Sequence, residues 1–100
     1  TLFGGKALNW MDEIAFITAT RYGRKKFVTV STDKIDFKTP IPEGSIVELQ
    51  GEVISVGTTS LIVRVQIIVE EMYSRDKRLA VEGNFSLVAI NQTKHPIPIH

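Results

Sequence analysis

The stretch that most constrains the fold of this chain is residues 2–22, which read as one long helix entered through a Gly-Gly pair. Apolar residues recur along it at helical spacing, and further apolar residues lie on its other sides, so a helix buried on most sides is predicted. Asp12 and Glu13 nevertheless lie in its middle. Because a carboxylate on an enclosed helix is costly unless it is paired or used, this conflict is the most informative feature of the sequence.

The rest of the chain reads as about four strands. Residues 27–31 are β-branched and aromatic and extend towards Phe37, and in Ile46–Val56 a slip in the alternation predicts a bulge near residues 51–54. A turn at residues 39–44, rich in Pro and Gly, separates these two strands.

Two further strands, residues 60–72 and 79–90, alternate between apolar and polar residues. Their predicted buried faces are Leu61, Val63, Val65, Ile67 and Val69, and Leu79, Val81, Phe85, Leu87 and Ala89. Short connections favour antiparallel neighbours, and the apolar face of the sheet is expected to cover the helix. The sequence therefore predicts a single α+β domain over residues 1–100.

Composition excludes several classes of protein. The net charge of +1 and the aromatic content of 8% give no footprint for nucleic acid or an anionic membrane. No cysteine is present, which excludes disulfides and thiolate chemistry and fits a reducing compartment. No signal peptide or apolar run long enough to span a bilayer is visible, so we expect a cytoplasmic protein without metal or cofactor.

Asp12 is the candidate catalytic residue. In an apolar cleft it would act as a general base or a nucleophile. The alternative is a structural carboxylate at the solvated edge of the helix, or one paired with a basic residue of the sheet. Glu13 has the same chemistry but points about 100° away on a helix, so one of the two faces inward and the other can face water.

Gly4 and Gly5 open the helix, where unpaired backbone N–H groups can bind a ligand oxygen and serve as an oxyanion hole. The alternative is a tight turn entering a helix. Gly5 and Asp12 are seven residues apart, which is roughly 10 Å along the axis. If both act on one substrate, they come from two copies of the chain, so we expect a site across a two-fold dimer interface.

Three other stretches carry weaker signals. The hydroxyls of Thr58, Thr59 and Ser60 can contact phosphate, although their spacing favours a simple hairpin loop. Residues 24–26 are basic and can neutralise phosphates or simply end the helix in solvent. The two histidines, in a Pro-rich tail, lack acidic partners nearby and are a poor case for a metal site.

The start of the chain, FGGKALNWMDE from Phe3 to Glu13, resembles the central helix of hotdog-fold acyl-CoA thioesterases. Further likenesses follow in order along nearly the whole chain. They are VTV at residues 28–30, DF at residues 36–37, PIPEG at residues 40–44, VGTTS at residues 56–60 and KHPIP at residues 94–98. The resemblance implies a hotdog fold, with one long central helix wrapped by a curved antiparallel sheet. Two such units would pair through a continuous sheet, and dimers would assemble further into hexamers.

The resemblance also implies hydrolysis of acyl-CoA to a free acid and CoA. Asp12 matches the catalytic aspartate, Gly4 and Gly5 match the residues that polarise the thioester carbonyl, and Phe3 lies beside them at the substrate. The family contacts CoA at the position of residues 57–60, which are Gly57, Thr58, Thr59 and Ser60.

Two departures from the family stand out. The strand that precedes the helix is missing here, so the natural chain is expected to be longer. In addition, Thr1 stands about where some members carry a second catalytic Asn or Asp. A non-catalytic hotdog unit, which binds acyl-CoA or only builds an oligomer, is the alternative function, and a small β-domain for single-stranded nucleic acid ranks below it.

Overall fold

The computed structural model describes residues 4–100, which form one helix and one four-stranded antiparallel sheet. The helix α1 spans Gly4–Gly23. The strands β1 to β4 span Lys26–Phe37, Ile46–Val56, Ser60–Glu70 and Lys77–Ile90. The predicted elements are confirmed, and β2 has the predicted irregularity, since its pairing with β3 shifts between Val53 and Ser55.

The strand order is β1-β4-β3-β2, so the first strand pairs with the last. The expectation of antiparallel neighbours holds for β2 with β3 and for β3 with β4. It is wrong for β1 and β2, because residues 38–45 carry the chain from one edge of the sheet to the other. Within the described residues, β1 and β2 therefore each have one open edge.

The core lies between one stripe of α1 and the inner face of the sheet. The helix contributes Ala7, Met11, Ala15 and Ala19, one residue per turn and all fully buried. The predicted inner face of β3 is confirmed, since its alternate residues are buried from Leu61 to Val69. In β4 the prediction for Leu79 is wrong: the register shifts where it pairs with β3, and Ala80 is buried in its place.

The prediction that the helix is buried on most sides is wrong for the single protomer. Leu8, Phe16 and Ile17 are 40–47% exposed. The reason is the narrow contact of α1 with the sheet, because only the Ala and Met stripe is fully buried and Ile14 packs against the core at its edge. Gly51 of β2 allows this close approach, since a Cβ atom there would lie 2.9 Å from Ile14 Cγ2.

The helix ends one residue later than its predicted glycine cap. Arg24 adopts the left-handed conformation, with φ 54°, and its N–H donates to the Thr20 carbonyl at 2.7 Å. Gly23 serves a different purpose, because a Cβ atom there would lie 2.8 Å from Cζ of the Phe27 ring. Among residues 4–100, no helix is long and apolar enough to cross a bilayer.

Candidate active site

Asp12 is joined to the first strand by a hydrogen bond. The Thr29 hydroxyl donates to Asp12 Oδ1 at 2.8 Å, which ties the middle of α1 to β1. Thr29 is on the helix-facing side of β1, as is Phe27 two residues before it. With Oδ1 held in this way, Oδ2 keeps its lone pairs for a proton or an electrophilic carbon.

Sequence reasoning gave Thr29 no role, although the residue stood within a stretch that carried the family resemblance. A signal for it was present. Thr29 shares the parity of Phe27, an aromatic residue two positions earlier in the strand, so both side chains are expected on the helix-facing side. What the sequence lacked was the register between helix and strand, which alone identifies Asp12 as its partner.

The expectation that Asp12 is enclosed is wrong within one protomer, where the side chain is exposed. It lies about 100° around the helix from Met11, whose side chain is fully buried. Glu13, the next residue, is also exposed and lines a small groove between α1 and β2. The two carboxylates thus point to opposite flanks of the helix, and only Asp12 faces β1.

Gly4 and Gly5 form the first turn of α1. No acidic side chain lies in that turn to occupy its amide groups, and a Cβ atom built on Gly5 would have nothing within 4 Å. Backbone N–H groups in the first turn of a helix have no acceptor within the helix, so they can bind a ligand oxygen. They are seven residues from Asp12, which is about 10 Å along the helix. Phe3 lies outside the described residues.

The turn at residues 57–60 lies at the far end of the molecule from Gly4. The Gly57 N–H donates to the Ser60 carbonyl at 2.7 Å, and the Thr58 carbonyl accepts the Ile99 N–H at 2.8 Å. Gly57 and Thr58 are exposed, while Thr59 and Ser60 are half-buried. One protomer therefore brings Asp12 and Thr29 together, but neither the Gly4-Gly5 turn nor the 57–60 turn reaches Asp12 within it.

Exposed apolar side chains flank Asp12 on the helix, and others lie along the open strand β1. Leu8 and Phe16 lie one turn before and one turn after it and are 40% and 47% exposed. On the open edge strand β1, Val28 and Val30 are 38% and 57% exposed. An exposed apolar patch beside an unpaired strand edge is typical of a protein–protein interface.

Arg64 and the two histidines do not form a second chemical site within residues 4–100. Arg64 pairs with Glu52 on the outer face of the sheet. The His95 ring is bonded to Thr93 in a surface turn, and the His100 ring meets Tyr22 edge-on. Across residues 4–100, no group of three or more His, Asp or Glu side chains is arranged to hold a metal ion.

Comparison with known proteins agrees with this architecture. Residues 1–74 match the family model of the thioesterase superfamily. The chain therefore belongs to the thioesterase superfamily, and its helix and antiparallel sheet form the hotdog fold. The predicted resemblance to hotdog-fold acyl-CoA thioesterases is confirmed by the relatives themselves.

The chain is 38% identical over 99 residues to the uncharacterized acyl-CoA thioester hydrolase YkhA of Bacillus subtilis, covering 99% of this chain and 58% of that protein. A crystal structure of an acyl-CoA hydrolase from Bacillus cereus matches with a TM-score of 0.94 and 40% identity, over 98% of this chain and 60% of that one. A structure of an apo-hexameric acyl-CoA thioesterase also has a TM-score of 0.94, with 36% identity over 98% and 63% of the two chains. The chain thus spans less than two thirds of each of these proteins.

Proposed function

We propose that this chain hydrolyses the thioester of acyl-CoA to a free carboxylic acid and CoA. The observation that carries the proposal is the carboxylate of Asp12, held by Thr29 at 2.8 Å in the middle of the only helix of residues 4–100. The names of the relatives supply the substrate class, since YkhA and the Bacillus cereus structure are both described as acyl-CoA hydrolases.

Asp12 acts in one of two ways. As a general base, it takes a proton from water while the water oxygen bonds to the thioester carbonyl carbon. The tetrahedral intermediate then expels the CoA sulfur, which takes a proton from the Asp12 carboxyl group. As a nucleophile, Asp12 attacks the same carbon, releases CoA and forms an anhydride that water hydrolyses. In either case Thr29 fixes one carboxylate oxygen and leaves the other directed at the substrate.

The developing oxyanion requires donors that one protomer does not bring to Asp12. We assign them to the partner subunit's Gly4 and Gly5, whose N–H groups open the helix there. Three features support a shared site: the gap of about 10 Å between Gly5 and Asp12 on one helix, the exposed apolar residues around Asp12, and the open edge of β1. An antiparallel pair joined along β1 is the dimer that this edge favours, and a trimer of such dimers would resemble the hexameric relative.

Replacing Asp12 tests the proposal directly. We expect Asp12→Asn to leave a folded oligomer and to remove most release of free thiol from a panel of acyl-CoA substrates. Glu13→Gln is the matched control, because it makes the same change one residue along, on the flank that faces β2. Wild-type turnover by Asp12→Asn would show that this carboxylate is not catalytic. Binding of acyl-CoA by the wild-type protein without any turnover would instead support the alternative, a non-catalytic hotdog module.

A further inference from the structure

Two bulges in β1 decide which of its side chains face the helix. The pairing of β1 with β4 shifts between Thr29 and Ser31, and again between Asp33 and Asp36. Each shift adds one residue to β1, so successive helix-facing side chains are three residues apart across a bulge instead of two. The helix-facing row that results is Phe27, Thr29, Thr32 and Ile35.

The two apolar side chains at the ends of this row each lie against a glycine. The Phe27 ring lies against Gly23 at the end of α1, where a Cβ atom would be 2.8 Å from its Cζ. Ile35 lies across Gly83 of β4, where a Cβ atom would overlap Ile35 Cδ1 and lie 3.3 Å from Ile35 Cα. Phe27 belongs to the buried core, and Ile35 is half-buried and packs against it. The space between helix and strand is therefore filled at both ends of the row.

Between these two ends the row is open. Thr29 and Thr32 are exposed in the protomer, and their side chains are smaller than those of Phe27 and Ile35. The open stretch begins at Thr29, beside the candidate catalytic carboxylate, and stops at Ile35. We call this surface, from Thr29 to Ile35, the β1 trough.

The helix forms the other wall of the β1 trough. Because the end of α1 lies at Phe27 and Asp12 lies at Thr29, helix and strand run in opposite directions. Leu8, one turn before Asp12 on the same flank, therefore lies in the direction of Ile35. Its side chain is 40% exposed, so apolar surface continues along the trough from the carboxylate towards the closed end.

We propose that the β1 trough binds the acyl chain of the substrate and that Ile35 sets the longest chain it accepts. The inference rests on the proposed function, because it takes the thioester carbonyl to lie at Asp12. A trough that is closed at its far end suits the acyl chain, which ends in a methyl group. It does not suit CoA, which continues from its sulfur atom into a nucleotide. The apolar wall favours a fatty acyl chain, since burial of its methylene groups contributes to binding.

The strand register gives the length of the trough. Thr29 pairs with Leu87, and Ile35 lies on Gly83, four residues away along β4, which is about 13 Å. The terminal carbon of the chain must stop about 4 Å from Ile35, so about 9 Å remain. Three bonds of an extended chain span about 3.5 Å, so about eight carbon–carbon bonds fit into this length. The limit is therefore an acyl group of about nine carbons.

The test moves the end wall in both directions. Ile35→Ala lengthens the trough, and Ile35→Val, which removes only the terminal methyl group, lengthens it by less. Gly83→Ala shortens the trough, because its methyl group takes the place of Ile35 Cδ1 and displaces that side chain from the glycine. For each variant, kcat/KM is measured by thiol release over a series of straight-chain acyl-CoA substrates, after circular dichroism has shown that the variant is folded.

We expect kcat/KM of the wild-type protein to fall when the chain exceeds about nine carbons. Ile35→Ala should raise this limit by about two carbons, and Gly83→Ala should lower it by about one or two. Each methylene group that the trough covers is worth about fourfold in kcat/KM, so the first chain beyond the wild-type limit should gain at least about fourfold, relative to shorter chains, in Ile35→Ala. Ile54→Ala is the matched control, because it makes the same truncation on the opposite edge strand, where Ile54 is 43% exposed. It should leave the chain-length profile unchanged.

A binding measurement separates the trough from the proposed reaction. S-alkyl-CoA thioethers cannot be hydrolysed, and their Kd values, measured by calorimetry, should show the same limits as the kinetic series. A wild-type protein without a limit, or a limit that stays in place in both Ile35→Ala and Gly83→Ala, would overturn the assignment of Ile35. If the wild-type protein hydrolyses none of the substrates, yet the limit for the thioethers moves as expected in the variants, the proposed reaction fails and the β1 trough stands.

Discussion

The contact between α1 and β2 at Gly51 can be tested by adding one methyl group. A Cβ atom at this position would lie 2.9 Å from Ile14 Cγ2 and 3.3 Å from Thr18 Cβ. Both helix residues are β-branched, so their side chains cannot turn away at low cost. Restoring an ordinary separation of about 3.5–4.0 Å requires the helix to move away from β2 by about 1 Å.

Such a shift gives a definite magnitude for Gly51→Ala. Overpacking of a close contact costs about 1–3 kcal/mol. The smaller backbone entropy of Ala in the unfolded chain offsets about 0.4–1 kcal/mol of that. We therefore expect the free energy of unfolding to fall by about 1–2 kcal/mol. Because the same shift moves Asp12 relative to Thr29, thioesterase activity should fall by about 10- to 100-fold at temperatures where the variant is folded.

Urea denaturation measures this loss through the fluorescence of Trp10, the single tryptophan, which lines the groove between α1 and β2. Thr18→Ala in the Gly51→Ala background should restore part of the stability, with a coupling energy of about 1 kcal/mol. Gly57→Ala is the control for stability, because a Cβ atom there meets its nearest neighbour at 3.5 Å. An unchanged unfolding midpoint for Gly51→Ala would show that the helix does not lie this close to the sheet.

Three further predictions follow from single contacts. Thr29→Val should lower kcat about tenfold, because a hydrogen bond to a carboxylate contributes about 1.5 kcal/mol or more. The control Ser31→Ala, on the same strand, should leave kcat unchanged. Equal activity of the two variants in a thiol-release assay would show that Thr29 is not part of the site. Thr20→Val should raise stability by about 1 kcal/mol, because Thr20 Oγ1 is buried without a partner among residues 4–100; a lower melting temperature would contradict this. Phe16→Glu should give folded, inactive monomers by analytical ultracentrifugation, since Phe16 is 47% exposed beside Asp12; active monomers would refute the shared site.

The local structure of this chain was predictable because its patterns are strong. The alternation from Leu61 to Val69 matches a strand that is buried on one face along its whole length. The slip in β2 was visible as a bulge before any partner strand was known. Leu79 was misassigned for the opposite reason, since a register shift between two strands leaves no mark in either strand alone.

The contacts between elements that are far apart in the sequence were harder to predict. The strand order places β1 beside β4, and nothing local to β1 identifies its partner. The same limit hid the contact between Thr29 and Asp12, which depends on how α1 lies across the sheet. The exposure of Asp12 and Phe16 was also missed, because an apolar residue that is exposed in the protomer has the same sequence signature as a core residue.

Mixing two inactive variants tests the shared active site most directly. Asp12→Asn removes the carboxylate, and Gly5→Pro removes one backbone N–H at a helix position where Pro is tolerated. In randomly mixed dimers about half are heterodimers, and each has one intact site of two, so activity should recover to about a quarter of wild type. The two variants are unfolded and refolded together, and the thiol release of the mixture is then measured. A mixture as inactive as its two components would contradict a site built from Asp12 of one protomer and the Gly4-Gly5 turn of the other.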